Sequence, residues 1–135
     1  VMITEEGAAY AWGANTCGQT GTGNFDATMR PVRILTDVVV DDVAVGSQHT
    51  LALARDGRLF AFGCNGRGAL GRNPSALNVT ATPVEVSTPE TFVSVAAAGA
   101  HSVGLTAGGA VYTWGANHEG QLGACEVRGR EERRD

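Results

Sequence analysis

An internal repeat constrains this chain more than any other feature. Residues 57–71 read Gly-Arg-Leu-Phe-Ala-Phe-Gly-Cys-Asn-Gly-Arg-Gly-Ala-Leu-Gly. A shift of 52 positions gives Gly-Ala-Val-Tyr-Thr-Trp-Gly-Ala-Asn-His-Glu-Gly-Gln-Leu-Gly at 109–123. A backward shift of 50 gives Gly-Ala-Ala-Tyr-Ala-Trp-Gly-Ala-Asn-Thr-Cys-Gly-Gln-Thr-Gly at 7–21. Glycine recurs at four places, an aromatic residue at two and asparagine at one. His49 and His101 are 52 apart, as are Pro31 and Pro83. The spacing changes between Gly21 and Pro31, compared with Gly71 to Pro83, so 22–30 and 72–82 are expected as exposed loops. Units of this size cannot bury their own apolar face and must stack on one another.

Each unit reads as four short strands. The first lies at Val38–Val45 and Phe92–Ala98. The second lies at Thr50–Ala54 and Ser102–Thr106, with Val1–Thr4 as its remnant. The third lies at Ala9–Trp12, Leu59–Phe62 and Val111–Trp114. The fourth lies at Val32–Leu35 and Val84–Val86, each opened by a proline, which suits an outer edge strand. These runs are β-branched or aromatic and are bounded by Gly, Pro, Asn or Asp. Glu5-Glu6-Gly7, Arg55-Asp56-Gly57 and Ala107-Gly108-Gly109 supply hairpin turns needing positive φ. Phe60, Ala61 and Phe62 are consecutive, so the sheet needs cover on both faces, which blades fanned about an axis provide. The small residues from Ala96 to Ala100 fit the crowded strand nearest that axis. The expected fold is all-β: an incomplete β-propeller arc of four-stranded antiparallel blades over residues 1–123. An ordinary β-sandwich is the alternative, but it requires no such repeat.

Composition bounds the function. The chain has 135 residues, 19 of them Gly, with 43% hydrophobic and 18% charged residues. That mix can bury a core. The net charge is -4 and every one of the ten cations is Arg. A nucleic-acid surface needs clustered cations, so direct nucleic-acid binding is not expected. No apolar run is long enough to span a bilayer. Cys17, Cys64 and Cys125 match neither a disulfide framework nor a CxxC metal pattern. They point to a reducing, intracellular setting, cytoplasmic or nuclear. The start at Val1, without a charged and apolar leader, is read as a sign of a fragment.

The strings Trp12–Gly21 and Trp114–Gly123 share Trp-Gly-Ala-Asn-x-x-Gly-Gln-x-Gly. They follow Gly-x-x-Tyr-x-Trp-Gly, and the histidines lie in His-(Ser/Thr)-x-x-Leu, preceded closely by Gly46 or Gly99. This pattern resembles the regulator of chromosome condensation (RCC1-like) repeat family, over roughly residues 1–123 and about two and a half repeats. The resemblance implies a β-propeller, of which this chain is an arc. It implies protein partners, among them the remaining blades or other subunits of an assembly. It also offers a second activity, guanine-nucleotide exchange on a small Ran-like GTPase. The exchange residues of the family cannot be matched to positions here, so exchange rests on analogy alone. Light-sensing members place tryptophans just before the repeated histidine. Gln48 and Ala100 stand there, so light sensing is not implied.

The chemistry-bearing residues read mostly as structure. His49 and His101 occupy the same slot in neighbouring blades and are expected to bond backbone near a turn, set too far apart to share a metal. His118 reads as a surface residue. Asn15, Asn65 and Asn117 recur with their glycines and suit turn geometry. Trp12, Phe62 and Trp114 are expected between blades, and Gly13, Gly63 and Gly115 follow them. No catalytic constellation, phosphate loop, metal site or cofactor site can be assigned by spacing. The expected function is therefore a non-catalytic interaction scaffold that binds partners through loops and open blade faces. Phe25, Asp26 and Arg30, beside Met29, and Arg72 in the equivalent loop are the candidate contacts, because aromatic and Arg residues on supported loops make anchors. Residues 124–135 are charged and depart from the repeat. They read as a disordered tail or as a short helix with Glu–Arg pairs.

Overall fold

The computed structural model describes residues 1–123 and the backbone of Arg133–Arg134. Three antiparallel sheets follow one another along the chain. The first has the order β1 (Met2–Ile3), β2 (Ala9–Gly13), β3 (Thr28–Ile34). The second has the order β4 (Val40–Val45), β5 (His49–Ala54), β6 (Leu59–Cys64), β7 (Val79–Glu85). The third has the order β8 (Phe92–Ala98), β9 (His101–Thr106), β10 (Val111–Gly115), β11 (Arg133–Arg134). No helix occurs among the described residues. In the third sheet Tyr112 pairs with Arg134 and Thr113 with Arg133. The rest of 124–135, on which both tail readings depend, lies outside the described residues.

Hairpins join consecutive strands as the turn residues dictate. The Gly57 N–H donates to Ala54 O at 2.9 Å and the Gly109 N–H to Thr106 O at 3.0 Å. Gly57 has φ of 90°, a value that side-chain-bearing residues rarely adopt.

The outer strands begin earlier than the prolines suggest. β3 starts at Thr28 and β7 at Val79, so Pro31 and Pro83 lie inside strands. Only the first parts of 22–30 and 72–82 are loop. The reason is a bulge: Ala11 pairs with Val32 and Gly13 with Thr28, and the same shift falls between Ala61 and Gly63. A bulge on an edge strand tolerates a residue that has no N–H to give.

Two cores lie between the sheets. Ala9, Ala11 and Ile34 of the first sheet meet Val40, Ala52 and Phe62 of the second. Leu51, Leu53, Leu59 and Ala61 of the second sheet meet Phe92, Val95, Tyr112 and Trp114 of the third. The alternation along β6 sends Phe62 to one core and Ala61 to the other. This satisfies the requirement for cover on both faces. Phe92 meets the Tyr112 ring edge-on, centroids 5.9 Å apart, a favoured aromatic geometry. Trp12 departs from the expectation that it is buried between blades. It is 42% exposed, whereas Phe62 is fully buried and Trp114 nearly so. Phe62 and Trp114 each face the preceding sheet, and among the described residues no sheet precedes the one that carries Trp12.

Candidate interaction site

The junctions between sheets repeat one design. In the second junction the Ser102 hydroxyl donates to Ala69 O at 2.8 Å and the Trp114 indole N–H donates to the same oxygen at 2.9 Å. In the first junction the equivalent Thr50 hydroxyl donates to Gln19 O at 2.8 Å. Phe62 replaces the tryptophan there and has no N–H to offer. Its ring packs on Gly21, where a Cβ would lie 2.8 Å from it.

His49 completes the second junction. Its Nε2 lies 2.9 Å from Ser102 Oγ. The Ser102 proton is committed to Ala69 O, so His49 Nε2 carries the hydrogen and Ser102 accepts it. The spacing is that of a nucleophile–base pair, but the proton order runs the wrong way for activating a hydroxyl. Both side chains are also buried. Burial first, and then the positive charge of His101, hold His49 down at a pKa of about 4, against a smaller opposing effect of the His101 main chain. His49, expected to bond backbone near a turn, meets the His101 main chain and in addition bonds the Ser102 hydroxyl. No cluster of His, Cys, Asp or Glu among the described residues could hold a metal ion.

The repeated asparagines fasten the loops that follow the third strands. Asn65 Oδ1 accepts the Leu70 N–H at 3.0 Å, and its Nδ2 donates to Arg72 O at 3.0 Å and Leu77 O at 2.6 Å. Asn15 Oδ1 accepts the Thr20 N–H at 3.0 Å, and its Nδ2 donates to Asn24 O at 2.8 Å and Asp26 O at 2.9 Å. Asn117 Oδ1 accepts the Leu122 N–H at 3.1 Å. Each side chain replaces a missing turn of regular structure, reaching five residues on rather than two.

These fastenings position the candidate contacts. The main chain of Asp26 is held by Asn15 while its side chain is exposed. Phe25 is 52% exposed and Met29 98% exposed. Arg30 is exposed, with its N–H donated to Thr28 Oγ1 at 3.2 Å. Phe25, Asp26, Met29 and Arg30 are thus four exposed residues of one short stretch that leads into and along β3, the edge strand of the first sheet. Arg72 lies in the equivalent loop of the second sheet, and its guanidinium donates to Glu85 O. It is fastened to its own sheet and does not join that stretch.

Two features escaped the sequence reading. A cleft of about 440 Å³ lies beside the first hairpin, lined in part by Glu6, Tyr10, Arg33 and Asp37. The second is a disulfide between Cys17 and Cys64, Cα atoms 5.1 Å apart, which overturns the expectation of free cysteines. The partners are 47 residues apart in sequence, so no short motif marks them. They meet because successive sheets stack. The cysteine argument for a reducing compartment falls with this pairing.

Comparison with known proteins agrees with the geometry. The model of the regulator of chromosome condensation (RCC1) repeat matches residues 6–53 and 56–105, and a second model of the same repeat matches 40–69 and 92–121. The chain is 37% identical over 127 residues to the probable E3 ubiquitin-protein ligase HERC6 of Homo sapiens, covering 90% of this chain and 12% of that one. It is 33% identical over 126 residues to the human regulator of chromosome condensation, covering 91% of this chain and 30% of the relative. The crystal structure of Kap60 bound to yeast RCC1 (Prp20) contains a chain matched at a TM-score of 0.77 and 26% identity, covering 85% of this chain and 29% of that one. The chain thus spans less than a third of these relatives, and its three sheets are blades of a partial β-propeller. It belongs to the regulator of chromosome condensation (RCC1) repeat family.

Proposed function

We propose that this chain is part of a non-catalytic β-propeller scaffold that holds protein partners through its rim loops and outer blade faces. One observation carries the reading. Phe25 and Met29 stand exposed beside Asp26 and Arg30, on a segment whose main chain Asn15 fastens. An apolar pair flanked by opposite charges, presented on an ordered support, has the make-up of a protein-binding anchor. The yeast relative solved with Kap60 supports protein partners. The setting proposed is inside the cell, in cytoplasm or nucleus, and residues 124–135 are taken as a charged tail of the repeats at 1–123, of which Arg133–Arg134 pair with the third sheet.

The test places a photo-crosslinking residue at position 25 or 29 of the full-length protein, with position 5 on the opposite hairpin as a control. Adducts at 25 and 29 that are absent at 5 are expected. Identical adducts at all three positions would remove the patch from consideration.

A second reading, exchange on a small Ran-like GTPase, is favoured by the 33% identity to the regulator of chromosome condensation. A nucleotide-release assay on the full-length protein with a panel of small GTPases separates the two. Acceleration with any of them establishes exchange, and none with all of them leaves the scaffold.

A further inference from the structure

We infer that Cys17 and Cys64 form a redox-operated clasp that fixes the first blade's loop to the second blade. Cys17 lies in the loop after β2, and Cys64 is the last residue of β6. The pair breaks the repeat. In the next unit the slot of Cys17 holds Arg67, and the slots of Cys64 hold Ala14 and Ala116 in the other units. Among the described residues the clasp therefore belongs to one of the two junctions. It is also the junction that lacks an indole N–H, since Phe62 stands where Trp114 bonds Ala69 O in the other. Beyond the shared core and the Val40 N–H bond to Gly7 O, the loop itself is held by the Thr50 bond to Gln19 O, a Gly23 N–H bond to Ala81 O at 2.9 Å, and packing of Phe62 on Gly21. These last three grip the same short loop, between Cys17 and Gly23.

The bond is reachable from one side. Cys17 is buried, while Cys64 is partly exposed and lines a cleft of about 200 Å³ with Ser47, Gln48 and Arg67. A small anionic disulfide such as oxidised glutathione can approach Cys64 there, with Arg67 supplying positive charge. The Cys64 thiolate attacks one glutathione sulfur, forming a mixed disulfide and releasing one glutathione thiolate. The Cys17 thiolate then attacks the Cys64 sulfur and releases the second. Two protein thiols are oxidised and one glutathione disulfide is reduced to two thiols, the departing glutathione thiolates taking up the two protons that the protein thiols shed. Reduction reverses the sequence and frees the loop that continues into Phe25 and Asp26. The clasp stands on this geometry and not on the scaffold reading.

The experiment equilibrates the full-length protein in buffers of graded reduced-to-oxidised glutathione ratio. Free thiols are trapped with N-ethylmaleimide and peptides are mapped by mass spectrometry, with amide hydrogen exchange read on the same samples. As the ratio becomes oxidising, Cys17 and Cys64 should lose labelling together and appear in one linked peptide. Exchange across residues 15–26 should then slow by about tenfold or more, while 65–77 stays unchanged. The paired substitution C17S with C64S should hold residues 15–26 at the fast, reduced rate in every buffer. Absence of the linked peptide at all ratios overturns the proposal. So does linkage without a change in exchange at 15–26, a comparison that needs only the unmodified protein.

Discussion

The Trp114 indole N–H and the Ala69 carbonyl oxygen meet at 2.9 Å across two blades, and Ser102 donates to the same oxygen. One main-chain acceptor thus ties together the third strand of one blade, the second strand of the same blade and the loop of its neighbour. Trp114→Ala removes a nearly buried side chain from the core that holds Phe92 and Tyr112. A loss of about 3–5 kcal/mol is expected on chemical denaturation. Trp114→Phe keeps most of the volume and leaves Ala69 O with one donor, so about 1 kcal/mol is expected. If both variants denature like the parent protein, Trp114 does not hold the junction.

His49 gives the fold a pH dependence of definite sign. Its folded pKa, about 4, lies below the ordinary 6.5. The unfolded chain therefore takes up a proton that the folded one refuses. Stability from this group is complete above pH 6.5, falls as the pH drops toward 4, and levels off below. The size is about 3 kcal/mol by linkage. Urea midpoints measured from pH 7 to pH 4 should decline in the parent protein. In His49→Gln, whose amide can still donate toward Ser102, that part of the decline should vanish. An equal slope in the variant would assign the decline to other groups.

Much of this architecture was legible because repetition carries position. The second and third strands fall within a residue or two of where Thr50–Ala54 and Leu59–Phe62 place them. The outer strands were misplaced because a proline marks a strand start only when the strand is regular. Here the bulge opposite Gly13 and Gly63 lets the strand run on through it. Trp12 was misjudged for a different reason. A repeat says which side chain faces the preceding blade and nothing about whether such a blade is among the described residues. Cys17 and Cys64 lie nearly one repeat apart, a spacing set by blade stacking and carried by no local motif. The patch at Phe25 and Met29 was visible as two apolar residues interrupting a polar loop. What holds it in place, the Asn15 side chain, was expected to bond closer to home.

Asn65 shows how much one amide supports. It is fully buried and serves one N–H and two carbonyls. Asn65→Ala strands all three partners, and a loss of about 3 kcal/mol is expected. Asn65→Asp still accepts from Leu70 but cannot donate to Arg72 O or Leu77 O when ionised, so it should be no milder at pH 7. Thermal or urea denaturation measures both. An Asp variant as stable as the parent would mean that the Nδ2 bonds contribute nothing.

The exposed face of the first sheet governs how the isolated 135-residue chain behaves. Trp12 and Met2 lie on it at 42% and 47% exposure, and Leu105, in the third sheet, is 37% exposed. Single exposed apolar residues are ordinary, but a sheet face that carries several invites association. The isolated chain is expected to self-associate, with light scattering giving a mass above 13.9 kDa that rises with concentration. Trp12→Asp should lower that mass without lowering the denaturation midpoint, since Trp12 contributes to neither core. Trp114→Asp is the contrast: the same change within a core should unfold the chain. A parent chain that remains a monomer at all concentrations would show that these faces do not drive association. A Trp12→Asp variant that unfolds would place Trp12 inside the packing after all.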